Sequence, residues 1–221
     1  MHWGQADDTS SVQLADEASY LAELVAALLP TEPEALGLVA MIWLCEARRP
    51  ARISAAGRFV PLHEQDTALW DALLIERADR CLAQASALRA LGAFQLEAAI
   101  QSAHVHGGLA GAVPWADIAV LYQHLLKLAP TVGAAIGSAV ATAKASDDSR
   151  SGLRLLEAMD ADRVANHQPW WAARAHLLAL TGHHDESARA WGRALVLTAE
   201  PALRDWLSHQ RDTQIAAAAV R

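Results

Sequence analysis

The chain has little cysteine: Cys45 and Cys81 are the only two among 221 residues. Two thiols cannot build a disulfide framework, and a reducing cytoplasm is the simplest setting. Positive charge is also short. There are 18 Lys and Arg against 25 Asp and Glu, a formal net charge of −7. That balance argues against a nucleic-acid binder, which needs a basic face to displace counterions, so no direct DNA contact is expected. No apolar run reaches the roughly 20 residues of a membrane span. The longest, Leu36–Cys45, is broken in character by Gly37. The start, Met1-His2-Trp3-Gly4, lacks a basic stretch followed by an apolar one, so no secretory signal is read.

Catalytic and cofactor signatures are missing as well. There is no Gly-x-Ser-x-Gly, no phosphate loop and no dinucleotide fingerprint, so no cofactor is expected. With neither His-Glu-x-x-His nor Cys-x-x-Cys, no metal is expected. His104 and His106 would point to opposite faces of a helix, and His183-His184 sits in a turn. Cys45 and Cys81 read as small hydrophobes.

What the chain does have is Ala and Leu, within a hydrophobic content of 53%. Few β-branched runs interrupt them, so helix is favoured almost everywhere. Leu14, Ala18, Leu21, Val25 and Leu28 fall on one helical stripe. Thr31, Pro33 and Glu34 read as a helix start, with Thr31 capping and Glu34 bonding back. The following helix, to about Arg48, is apolar nearly all round, which suits a central position. Arg52-Ile53 and Phe59-Val60 pair as a small hairpin. Asp66 or Thr67 caps a long helix to Leu91, Phe94–His106 is the next, and Gly107-Gly108, Gly111 and Pro114 form a loop. Helices follow over Trp115–Leu128, Thr131–Lys144, Gly152–Met159, Pro169–Thr181, Asp185–Leu197 and Pro201–Gln214, and the tail Ile215–Arg221 frays.

The expected fold is therefore all-α: one domain over 1–221, about ten helices, with a hairpin insertion near 50–62. The first part spans 12–128 and includes the hairpin; the second spans 131–214. Gly182 to Ala188, then Trp191 and Ala194-Leu195, resembles the second half of a tetratricopeptide unit, and Thr131–Met159 a degraded earlier copy. Such helix pairs stack into a solenoid with a concave binding side.

Eight tryptophans, Trp3, Trp43, Trp70, Trp115, Trp170, Trp171, Trp191 and Trp206, are expected mostly as core anchors. Adjacent helical residues point about 100° apart, so one of Trp170 and Trp171 is a candidate for a groove or partner surface. Mixed charge gathers in Glu46, Arg48, Arg49 and Arg52, then in His63, Glu64, Gln65 and Asp66, close to Trp70. It reads either as an Arg–carboxylate network pinning the hairpin or as a ligand site made from the same groups.

Several motifs together resemble one family. They are Pro33–Leu38, Glu46–Arg52, Gln65-Asp66, Leu69–Asp71, Phe94–Leu96, Ala98–Ile100, His104, Trp115, Ile118, Leu121-Tyr122 and Ala173–Ala175. Their order is similar to that in the C-terminal extension of a subgroup of extracytoplasmic-function RNA polymerase sigma factors, from about Leu14 to Leu207. The resemblance implies a helical, tetratricopeptide-like regulatory domain that acts through protein contacts on promoter-reading sigma regions or RNA polymerase. The sigma regions themselves are not found in this sequence. Polar positions depart from the family pattern: Cys45-Glu46, His63-Glu64, Thr67, Glu97 and Gly137-Ser138 stand where His-Asp, Glu-Asp, Arg, Gln and Asn-Arg are usual.

Two functions follow as expectations. The first is a non-catalytic interaction module in the cytoplasm, binding sigma regions, RNA polymerase or another protein. Its binding candidates are Arg48, Arg49, Gln65, Asp66, Trp70, Gln95, Tyr122, Trp170 and Trp171. The alternative is a stand-alone, repurposed domain that binds, cyclises or otherwise transforms a small apolar metabolite in a biosynthetic pathway, with Glu46, His63, Glu64, Glu97 and His104 as acid–base groups.

Overall fold

The computed structural model describes residues 7–219, with side chains from 13 onward. Trp3 lies outside the described residues. The fold is all-α, with eleven α-helices and three short 3-10 turns among those residues. Among the described residues no helix is long and apolar enough to cross a membrane.

The chain divides into two units. The first runs to Ala51 and resumes at Asp66–Val113. It holds α1 (Asp7–Leu28), α2 (Pro33–Glu46), α3 (Ala72–Ala87) and α4 (Ala93–Ala110). As its all-round apolarity requires, α2 is the central helix: α1, α3 and α4 all pack on it. Leu36, Val39, Ala40, Trp43 and Leu44 are buried along it.

Local chemistry moved several boundaries. Thr31 does not cap α2; the Glu32 carboxylate accepts from the Glu34 N–H instead, and Pro33 takes the first helical position. Asp66 caps only the 3-10 turn Thr67–Leu69, Trp70 is extended, and Asp71 caps α3, which ends at Ala87 rather than Leu91. Helix α4 does not stop at His106 but continues through Gly107 and Gly108. The reason is packing: a Cβ on Gly108 would sit 2.6 Å from the indole of Trp70. Helix α4 ends instead where Gly111 adopts φ +75°, the left-handed cap that glycine accepts without strain.

The second unit joins Arg52–Gln65 to the chain from Pro114 onward. Its helices are α5 (Trp115–Leu128), α6 (Val132–Ser146), α7 (Ser149–Glu157), the single turn α8 (Ala161–Val164), α9 (Gln168–Leu180), α10 (His184–Val196) and α11 (Pro201–Ala219). Helix α5 packs on α6 in this unit. The hairpin is a single antiparallel bridge, Ile53 to Phe59, closed by Ser54 N–H to the Arg58 carbonyl and Val60 N–H to the Arg52 carbonyl. Phe59 meets Trp206 of α11 edge-on at 5.8 Å. Helix α11 continues to Ala219, where fraying was expected from Ile215.

The repeat character is present in the pairs α6–α7 and α9–α10 and in the packing of α11 on α10. Gly182, at φ +80°, turns α9 into α10. Ala175, Ala190 and Ala194 are buried where those helices touch, Trp191 fills the space beside them, and the Ser187 hydroxyl donates to the Ala175 carbonyl at 2.7 Å. Trp170 and Trp171 are both packed. Trp170 lies in the α6–α7–α9 core, and Trp171 touches that core and the α9–α10–α11 core beside it. With a core on each of two sides of α9, adjacent rings need not compete for one. Both indole N–H groups donate to carbonyls, of Leu156 and of Ala165.

Candidate functional site

Helix α1 is turned inside out. Its residues facing the body of the first unit are small or acidic: Ala15, Ser19 and Ala26 are half-buried and Ala22 is buried. Its large apolar residues face away. Leu14 is 62% exposed and Leu28 71%, with Leu21, Leu24 and Val25 exposed between them and Tyr20 alongside. The stripe visible in the sequence is thus the outward face.

Polar contacts fix this orientation. The Trp43 indole donates to Glu23 Oε1 at 2.9 Å. Arg77 reaches the same carboxylate at 3.7 Å while its guanidinium lies 4.0 Å over the Trp43 ring. Arg49 pairs with Asp16 at 2.9 Å and with Glu46 at 3.1 Å. A helix held by carboxylates on its inner face has nowhere to put its leucines but solvent. Monomeric proteins rarely leave so contiguous an apolar row uncovered without using it.

The binding candidates are spread over both units. In the first, Arg48 is buried and its Nε donates to the Leu44 carbonyl at 3.1 Å, while Nη2 reaches Gln101 Oε1 of α4. Arg49 holds α1 as above. Buried Gln95 donates from Nε2 to the Ala90 carbonyl at 2.6 Å. Trp70 is buried against Gly108. Asp66 is spent on its cap. In the second, Gln65 Nε2 donates to the Val60 carbonyl at 3.2 Å, and Tyr122 fills the space left by Gly137, where a Cβ would fall 2.3 Å from its ring.

The acid–base candidates divide the same way. Glu46, Glu97 and His104 belong to the first unit, and His63 and Glu64 to the second. His63 and Glu64 face each other at 3.3 Å, both exposed. Burial pushes the Glu97 carboxyl above the usual range, and the neighbouring Glu34 charge adds to it. Burial, helped by the Arg48 cation, pulls His104 down to about 4, so it is neutral near pH 7. In the second unit a cleft of about 450 Å³ is lined by Lys144, Asp147, Asp148, Arg150, Leu177 and Thr181 among others, and by none of the five acid–base candidates. Among the described residues no group of three His, Cys, Asp or Glu side chains is placed to hold a metal ion.

One carboxylate with a structural role acts away from its own helix. Glu34 does not bond back within α2. It crosses to α4, accepting from the Phe94 N–H at 3.0 Å and the Gln95 N–H at 3.2 Å. Gly92, the residue before α4, has no side chain to cap with, and a Cβ there would strike the Glu34 carboxylate at 2.1 Å. The signal was present in Gly92-Ala93-Phe94, a helix start with no capping side chain of its own. Glu34→Ala is expected to destabilise the chain by about 1–2 kcal/mol, the cost of losing a cap, with Glu34→Gln recovering part of it. Urea unfolding of the three proteins checks this.

Comparison with known proteins adds little to the chemistry. Residues 2–86 match a family of unknown function, DUF6596; that stretch contains α2 and the outward-facing row of α1. An uncharacterized protein of Rhizobium meliloti (strain 1021) is 31% identical over 202 residues, which cover 91% of this chain and 47% of that protein. The chain thus spans about half the length of that relative. No solved structure matches.

Proposed function

We propose that this chain is a non-catalytic interaction module that regulates transcription in the manner of a sigma-factor extension, docking sigma regions or RNA polymerase through protein contacts. The observation that carries this reading is the inverted helix α1, whose inner face is tied down by Glu23 and Asp16 while its leucines stay open. Stacked helix pairs in the second unit support it, since repeats of this kind serve as binding scaffolds. The polar side chains Glu34, Arg48 and Gln95 hold helix ends and backbone carbonyls, which is structural work.

The test uses purified extracytoplasmic-function sigma regions from the organism that makes this chain, titrated calorimetrically against it. Binding in the micromolar range is expected. Leu21→Asp together with Leu28→Asp should weaken it tenfold or more while leaving helical content unchanged, because both side chains are exposed. No heat of binding with sigma regions or with RNA polymerase would overturn the reading.

The second reading, a module that binds or transforms a small apolar metabolite, draws support from Glu97 and His104. They lie seven apart, about two turns, on α4, and burial disfavours the charged form of each, raising the Glu97 carboxyl and lowering the His104 imidazole.

A further inference from the structure

The outward row of α1 is not uniformly apolar. Leu14, Glu17, Leu21, Leu24 and Leu28 recur at alternating spacings of three and four, the seam positions of a helix that pairs with another helix. Glu17 interrupts that seam. It is exposed, and it has no hydrogen bond or ion pair among the described residues, whereas Asp16 and Glu23 on the inner side are both engaged.

A carboxylate in an apolar seam selects its partner. If the facing helix offers only leucine, Glu17 is buried without compensation, which costs several times what a leucine contact returns. If the facing helix offers Lys or Arg, the charge is paired and the register is fixed.

A second copy pairing through its own α1 does not meet that need. Parallel pairing in register sets Glu17 against Glu17. Antiparallel pairing centred on Leu21 sets it against Leu24 and Val25. No other register helps, because the charged residues of α1 are Asp7, Asp8, Asp16, Glu17 and Glu23, with no Lys or Arg. The acidity of the whole helix points the same way.

We infer that the outward face of α1 is a docking seam for a partner's amphipathic helix that carries a basic residue opposite Glu17. This rests on the reading of the chain as an interaction module and specifies which kind of surface it accepts.

The test is a charge swap with two synthetic peptides on the full chain. Each peptide is a three-heptad amphipathic helix with leucine at its seam positions, except for one central seam position that is lysine in the first and glutamate in the second. Fluorescence anisotropy reads the affinity of each. Wild type is expected to prefer the lysine peptide by about tenfold, and the preference should shrink as salt is raised. Glu17→Lys should reverse it, with circular dichroism confirming that the fold is kept.

Equal affinity for both peptides, in wild type and in Glu17→Lys, would overturn the charge selection while leaving the interaction reading intact. Failure of both peptides to bind would remove the seam and the observation that carries the proposed function with it. A dimer in sedimentation that Leu21→Asp dissociates would show a second copy to be the occupant and would also overturn the inference.

Discussion

Gly37→Val is expected to destabilise the first unit by about 3 kcal/mol, the upper part of the usual range for overpacking a close contact. Gly37 lies on α2 where α4 begins. A Cβ added there would stand 2.6 Å from the Gln95 backbone nitrogen and 2.9 Å from the Phe94 carbonyl carbon. Those atoms are backbone, and they are the same two residues whose N–H groups Glu34 holds. The helices must therefore part, and the carboxylate cap is strained as they do. Even Gly37→Ala should destabilise, although alanine is intrinsically the better helix former by about 1 kcal/mol. Gly133 provides the control. It lies in α6 with nothing within 4 Å of its missing Cβ, so Gly133→Ala should stabilise by about 0.5–1 kcal/mol through propensity alone. Urea midpoints moving in opposite directions for the two alanine variants are the expected result. Movement in the same direction would contradict the close approach of α2 and α4.

The second large effect is on pH. His104 titrates at about 4 in the folded chain, against an ordinary 6.5, because of burial first and the Arg48 charge second. The sign follows from linkage. Above pH 6.5 the imidazole is neutral in both states and nothing is lost. Between 6.5 and 4 the unfolded chain binds a proton that the folded chain refuses, so stability falls as pH falls. Below 4 both states are protonated and the slope vanishes. The full loss is on the order of 3 kcal/mol. Burial and the Lys144 and His63 charges lower His176 as well, which acts in the same direction. His104→Gln should flatten this part of the acid limb, so that the variant gains on wild type as pH drops from 7 to 4.5. Proton NMR of the His104 ring gives the same answer directly. A midpoint near 6.5 would contradict its burial.

Much of the fold was legible in the sequence because helical periodicity and punctuation are local. The all-round apolarity of Leu36, Val39, Trp43 and Leu44 placed α2 at the centre, and α2 is where three helices meet. Gly182, Trp191 and Ala194 marked the repeat, and they form the turn and contacts of the α9–α10 pair. Misreadings came where a residue acts across space. Gly107-Gly108 looked like a loop because glycine breaks helices, yet Gly108 is there to admit Trp70. Glu34 looked like a local cap, yet it caps a helix sixty residues away. The site suffered most. A stripe of Leu14, Leu21, Val25 and Leu28 states that a helix has an apolar side but not which way that side faces. The inner face of α1 is made of small residues, Ala15, Ser19, Ala22 and Ala26, and two carboxylates, whose partners Trp43, Arg77 and Arg49 lie far along the chain.

The central claim is that α1 presents its leucines to a partner helix. Amide hydrogen exchange on the chain, with and without saturating purified sigma regions, tests it most directly. Slowed exchange along 14–28, with Leu21→Asp abolishing it, is the predicted result. Protection confined to α4, around Glu97 and His104, with α1 unchanged, would contradict the account.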